Sequence, residues 1–137
     1  MKPFHLHLQS ATRYEHFDDV VSFVGEDDSG SFGLLANHAR FMTALVFGLA
    51  RLRRAGADDW LFLAVPGALL YFVDNQLTIN TRQYLLDTDF RRISKHLQQE
   101  LVEEETRLHD MKESLRHMEE AMIRRLWEMR REGYGRS

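Results

Sequence analysis

Apolar and polar residues alternate with two different periods along this 137-residue chain, and the change falls near residue 88. Phe4, Leu6 and Leu8 alternate with His5 and His7, the two-residue period of a strand with one buried face. Val20, Val21, Phe23 and Val24 form a second run. It stops at Gly25, Glu26, Asp27, Asp28, Ser29 and Gly30, residues suited to turn dihedrals. Residues 60–65, Trp-Leu-Phe-Leu-Ala-Val, are almost continuously apolar, which predicts a strand buried on both faces that ends at Pro66 and Gly67. The runs 69–73 and 77–79 flank Asp74, Asn75 and Gln76 as in a hairpin. Short strands at this spacing predict a sandwich. One stretch is ambiguous: Phe41, Leu45, Leu49 and Leu52 recur at helical spacing, so periodicity alone makes residues 42–53 a helix in spite of Gly48.

After Asp87 neither glycine nor proline occurs until Gly133, and strong helix formers dominate. Phe90, Ile93, Leu97, Leu101, Leu108, Met111, Leu115, Met118, Met122, Leu126 and Met129 recur every three or four residues, with one gap at Glu104. Thr88 or Asp89 suits the N-cap, where a short oxygen-bearing side chain accepts from unpaired amides. Gly133 and Gly135 suit the stop. Unbroken, residues 89–132 would make a helix about 65 Å long at ~1.5 Å per residue. That is too long to pack wholly on so small a domain, so it must fold into a hairpin or reach a partner. The pattern therefore divides the chain into a β-domain, 1–88, and a helical domain, 89–137.

Composition narrows the function. No apolar run approaches the roughly 18–20 residues a transmembrane helix needs. Residues 1–8 lack the apolar block and cleavage site of a signal peptide, so the chain is expected in the cytoplasm. With no cysteine, disulfides, thiolate nucleophiles and cysteine-ligated zinc are excluded. A net charge of −3 argues against a nucleic-acid binder. The charge is uneven: residues 98–120 are mainly acidic, whereas the end is basic, with Arg124, Arg125, Arg130, Arg131 and Arg136 against Glu128 and Glu132. No glycine-rich phosphate loop, nucleophile elbow or histidine-glutamate zinc motif is present. His5 with His7, His109 with His117, and His96 with Glu100 share faces, but pairs without a third ligand do not predict a metal. Neither catalysis nor a cofactor is expected.

Two segments carry a resemblance. Residues 30–45, Gly-Ser-Phe-Gly-Leu-Leu-Ala-Asn-His-Ala-Arg-Phe-Met-Thr-Ala-Leu, and residues 62–73, Phe-Leu-Ala-Val-Pro-Gly-Ala-Leu-Leu-Tyr-Phe-Val, resemble the signature of the epsilon subunit of F-type ATP synthases. Ala36-Asn37 stands where that family has Pro-Gly, Pro66-Gly67-Ala68 where it has Ser-Gly-Gly, and Val46-Phe47-Gly48 where a more polar turn is usual. These departures suggest a divergent lineage, such as the alternate synthase of some bacteria. The resemblance implies an α+β fold, a ten-stranded sandwich followed by a helical segment, and turns residues 42–53 into turn plus strand. It implies a non-catalytic rotor subunit in the central stalk, peripheral on the cytoplasmic face of the bacterial inner membrane, that joins the gamma subunit to the c-ring. Ser31, Phe41 and Met42 become candidates for facing the ring, although Phe41 and Met42 also suit ordinary core. His38 matches the family's histidine, and beside a turn it suits a structural hydrogen bond.

In many relatives the C-terminal helices extend toward the catalytic subunits and block ATP hydrolysis. Arg124, Arg125, Arg130 and Arg131 would suit an acidic surface there, as they would a plain solvated face. Some bacterial members bind ATP at the first helix through Ile/Leu-Asp-x-x-Arg-Ala. Asp89 and Arg92 match that motif, but Thr88 precedes them and the bulky Ile93 stands in place of Ala, which argues against nucleotide there. His109-Asp110-Met111-Lys112 is the best place for a break between two helices, yet Leu108, Met111, Leu115 and Met118 keep register through it. Such continuity also fits a second reading, a coiled-coil adaptor in which the β-domain carries a dimerising helix.

Overall fold

The computed structural model describes residues 2–134, with the side chains at 102 and 130–134 outside the description. It contains nine strands among the described residues: β1 (Phe4–Gln9), β2 (Tyr14–Asp27), β3 (Gly30–Leu34), β4 (Phe41–Leu45), β5 (Gly48–Arg54), β6 (Leu61–Val65), β7 (Ala68–Val73), β8 (Gln76–Thr81) and β9 (Leu85–Asp87). They follow the order β4-β7-β8-β1-β2-β5-β6-β9, with β3 also on β2. Only β1 and β8 run parallel; every other pairing is antiparallel.

The sandwich fold is as predicted, with nine strands among the described residues instead of ten, and β2 pairs in both halves of the sheet. Its first half pairs with β1, from Gln9 opposite Tyr14 to Phe4 opposite Val20. Its second half pairs with β3 and β5, with the register shifting between Val20 and Ser22. Such an irregularity bends a strand and lets it pass between layers. Residues 42–53, ambiguous by period, form β4, a Val46–Phe47 turn and β5. Gly48 opens β5 at φ 156°, within the range that favours glycine. The predicted hairpin is also present, with Asp74 and Asn75 at φ 51° and 59° between β7 and β8, as a two-residue turn demands.

The core follows the alternation read from the sequence. Phe4, Leu6 and Leu8 are wholly buried and join Phe23, Leu52, Leu63, Leu70, Phe72, Leu77 and Ile79. The rings of Phe4 and Phe72 meet edge to face at 5.4 Å, an arrangement their quadrupoles favour. β6 is buried on both sides, as expected. Leu63 and Val65 enter the main core, while Ala64 enters a second cluster with Ile93, Leu97 and Leu101, flanked by Leu49, Phe62 and Leu85.

Ile93, Leu97 and Leu101 come from the start of the helical region, whose regular apolar spacing there gave no sign of an interruption. α1 (Phe90–His96) is followed by a π turn (Leu97–Leu101) and then α2 (Val102–Tyr134). Asp89 caps α1, its carboxylate accepting from the amides of Arg91 and Arg92 at 3.0 and 3.1 Å. Inserting a π turn rephases the helix, and here it holds Leu97 and Leu101 on the buried side. The compact unit built on the sheet thus extends through residue 102, beyond the change of composition at residue 88, and residues from 103 form a second unit. That second unit is one uninterrupted helix through residues 109–112, and it continues past Gly133 to Tyr134. Gly135 lies outside the described residues. None of the helices described is long and apolar enough to cross a membrane.

Candidate interaction surfaces

The outer face of the first layer is built from alternate positions of five strands. Met42 and Ala44 stand on β4 beside Leu69, Tyr71 and Val73 on β7. Gln76, Thr78 and Asn80 on β8 come next, followed by His5, His7 and Gln9 on β1 and Tyr14, His16 and Asp18 on β2. Asp18 is the one Asp, Glu, Lys or Arg among these positions, in a chain of which 28% is made of those four residues. Several of the apolar groups are open to solvent, Met42 at 70%, Leu69 at 64% and Tyr14 at 56%.

The middle of this face is ordered by histidine. His7 and His16, directly opposite in register, stack with centroids 4.7 Å apart, and His5 stacks on His16 at 5.3 Å. His7 Nε2 donates to Gln76 Oε1 at 2.7 Å, while its Nδ1 accepts from the Tyr14 hydroxyl at 2.8 Å. Both ring nitrogens of His7 are therefore occupied by neutral partners. The sequence pairs His5 with His7 but gives no sign of His16 and Tyr14, which join them only through the β1–β2 pairing. Among the described residues, no group of three His, Cys, Asp or Glu side chains is arranged to hold a metal.

The residues expected to face a ring divide among three directions. Met42 belongs to the face just described. Phe41, its neighbour on the strand, points the other way, packs against the main core and approaches Phe32 at 5.1 Å. Ser31 is exposed on β3 and lines a groove of about 160 Å³ with Glu26, Leu49, Arg51, Phe62 and Phe90. Strand alternation sends Phe41 and Met42 to opposite faces, while Ser31 lies on a different strand, β3. The β2–β3 hairpin and β4 are tied together by the Thr43 hydroxyl, which donates to Asp27 Oδ2 at 2.7 Å, and by Val46 N, which donates to Glu26 O at 3.1 Å. Hydrogen bonds from the hydroxyls of Ser29 and Thr43 hold the Asp27 carboxyl below its usual range. His38 Nδ1 donates to Ala39 O at 2.7 Å, and its ring meets the edges of Phe41 and Phe72. These are contacts of a structural histidine.

Asp89 and Arg92, the nucleotide-motif pair, both serve local structure. Asp89 is the cap, and the Arg92 guanidinium makes a two-point pair with Asp87 through Nε and Nη2. That pairing holds the Asp87 carboxyl well below the usual carboxylate range and raises Arg92. Of the basic tail, Arg124 and Arg125 are exposed on α2, whereas the side chains of Arg130 and Arg131 lie outside the described residues. A further cationic feature gave no sequence signal. Trp60 lies under two guanidiniums, Arg51 at 4.7 Å and Arg53 at 4.4 Å from the ring centroid.

Residues 3–86 match the family model described as the ATP synthase delta/epsilon chain, beta-sandwich domain. The chloroplastic ATP synthase epsilon chain of Marchantia polymorpha is 27% identical over 95 residues, covering 68% of this chain and 69% of that one. The ATP synthase epsilon chain 2 of Cereibacter sphaeroides is 31% identical over 84 residues, covering 61% and 57%. With the chloroplastic epsilon chain of Pisum sativum the identity is 33% over 76 residues, covering 56% and 54%, so the matches span between about half and two thirds of these relatives. A chain in the structure of the Euglena gracilis mitochondrial ATP synthase, OSCP/F1/c-ring, shares the fold with a TM-score of 0.55 at 19% identity, covering 69% of this chain and 61% of that one.

Proposed function

Because the chain belongs to the ATP synthase delta/epsilon family, we propose that it is the non-catalytic epsilon-type subunit of a rotary ATP synthase, placed in the central stalk between the gamma subunit and the c-ring. The observation that carries this reading is the outer face of β4, β7, β8, β1 and β2, where Asp18 is the only Asp, Glu, Lys or Arg among the strand positions. Depletion of charge with exposed aromatic and methionine side chains marks the centre of a stable protein interface. This face docks on the gamma subunit. The end of the sandwich formed by the β2–β3 hairpin and β4 faces the ring, with Ser31 and Met42 as the exposed candidates. α2, with Arg124 and Arg125 near its basic end, acts as the regulatory element that restrains ATP hydrolysis through the catalytic subunits.

Co-purification with the gamma subunit of the same genome tests the docking face. Leu69→Glu and Tyr71→Glu together place two carboxylates on it without touching the core, and gamma binding is expected to fall by at least ~10–100-fold, as for central interface residues. Undiminished binding would overturn the assignment of this face. For the tail, the assembled synthase is compared with the full chain and with a chain ending at residue 102, which keeps Ile93, Leu97 and Leu101 on the sheet. Assembly is expected to persist and ATP hydrolysis to rise. Loss of assembly would show that α2 is part of the coupling structure and not a restraint.

A further inference from the structure

α2 carries a row of exposed apolar side chains for which the sheet unit's chemistry gives no use. Met111, Leu115, Met118, Met122, Leu126 and Met129 lie on one side of the helix and are each between 56% and 64% exposed. A row of this length is an interaction surface, not scatter. Its spacing selects the occupant. About the midpoint between Met118 and Glu119, Leu108 mirrors Met129, Met111 mirrors Leu126, and Leu115 mirrors Met122. A helix symmetric in this way meets an antiparallel copy of itself layer on layer, the self-complementarity that a two-fold interface requires.

The charges select the same arrangement. Residues 103–120 carry Glu103, Glu104, Glu105, Asp110, Glu113, Glu119 and Glu120 against Arg107, Lys112 and Arg116. Beyond them, Arg124, Arg125, Arg130 and Arg131 outnumber Glu128 and Glu132. A parallel pair would set the acidic halves together, whereas an antiparallel pair opposes acidic to basic. At about 100° per residue, one flank places Asp110 beside Arg125 of the second copy and Arg107 beside its Glu128. The other flank places Lys112 beside Trp127 of the second copy. Glu119, next to the axis, meets its own copy and is the unfavourable contact. Glu104, which continues the stripe ahead of Leu108, ends the apolar pairing.

We propose that, outside the motor, a second copy of this chain covers the stripe, with the two α2 helices packed antiparallel about an axis beside Met118. The full chain lacks cysteine, so single cysteines report register directly. Met118→Cys is expected to give a disulfide-linked dimer on mild oxidation. Met129→Cys alone is expected not to, because the two sulfurs would be about 30 Å apart along the axis at ~1.5 Å per residue, far beyond disulfide reach. A mixture of Leu108→Cys and Met129→Cys chains is expected to link into heterodimers. Sedimentation of the unsubstituted chain should show a monomer–dimer equilibrium, weakened at least 100-fold by Met118→Glu and tightened several-fold by Glu119→Gln. A monomer at every concentration, which would leave the stripe to another occupant, overturns the proposal. Self-linking of Met129→Cys, or a dimer in which Met118→Cys does not link, overturns the antiparallel register.

Discussion

Ile93→Ala tests whether α1 is part of the sheet unit. Ile93 is 1% exposed and packs with Ala64, Leu97 and Leu101 beneath the flanking Leu49, Phe62 and Leu85. Removing three carbons costs about 2.4 kcal/mol in transfer at ~0.8 kcal/mol per methylene. A cavity adds to this, while the better helix propensity of alanine returns about 0.4 kcal/mol. The flanking residues are only partly buried and can close over the gap, so the net loss is about 2–3 kcal/mol, in the lower half of the measured range for such truncations. For a unit of roughly 100 residues this lowers Tm by about 10–20 °C. Urea unfolding followed by Trp60 in a Trp127→Phe background reports on the sheet alone, since the chain has two tryptophans. Phe90→Ala, at a side chain 55% exposed, serves as the control, with an expected loss below ~1 kcal/mol. A loss below ~1 kcal/mol for Ile93→Ala itself would mean that α1 melts without the sheet. The compact unit would then end near residue 88.

Asn37 stands at φ 69°, donates its amide to Asn75 Oδ1 at 2.6 Å and accepts from Asn75 Nδ2 at 3.0 Å. Asn37→Ala is therefore expected to cost more than Asn37→Gly by about 1–2 kcal/mol, the penalty of the left-handed region for alanine, measured by chemical denaturation. Tyr84 is buried and donates to Glu15 Oε1 at 2.9 Å, and burial followed by that bond pushes its phenol up to about 12. Since the folded value lies above the ordinary one, its contribution to stability is whole below pH ~10 and is lost as pH rises toward 12. Ultraviolet titration should find one of the four tyrosines ionising late, and Tyr84→Phe should remove that step. Asp87, depressed by Arg92 and the Asp89 amide, works in the opposite sense. Its contribution is present above the ordinary carboxylate value of ~3.9 and is lost as pH falls below it, so the stability gap between the natural chain and Asp87→Asn should narrow in acid.

Local rules made most of the sheet legible. The alternation of Phe4, Leu6 and Leu8 gave β1 its buried face, and the continuous run ending at Val65 gave a strand buried on both sides. Gly48 illustrates where a rule fails: apolar spacing around it fits a helix as well as two strands, periodicity alone does not choose, and the strands are held by pairing with β7 and β6. The departures from the family signature were visible but not interpretable until Asn37 proved to hold a left-handed conformation, the place glycine would otherwise take. The π turn left no clear mark, because Leu97 and Leu101 keep a helical spacing on either side of it. Both leucines pack with Ala64 and Ile93 in one buried cluster.

The charge-poor face was hidden for a different reason. Its members are spread from His5 to Asn80, and only the register of five strands reveals that Asp18 is the sole Asp, Glu, Lys or Arg on the combined surface. Of the signature-derived positions, Phe41 and Met42 are neighbours in sequence, and strand alternation turns them to opposite faces, while Ser31 lies on a different strand, β3. Phe41 supports the core, Ser31 opens on the groove beside Phe90, and Met42 continues the face that carries Leu69 and Tyr71. Under the proposed assignment, a ring-facing contact made through Met42 would share an edge with the face proposed to dock gamma, along β4. Load applied at that edge would pass across the β4–β7 hydrogen bonds of a continuous sheet, without crossing a flexible joint.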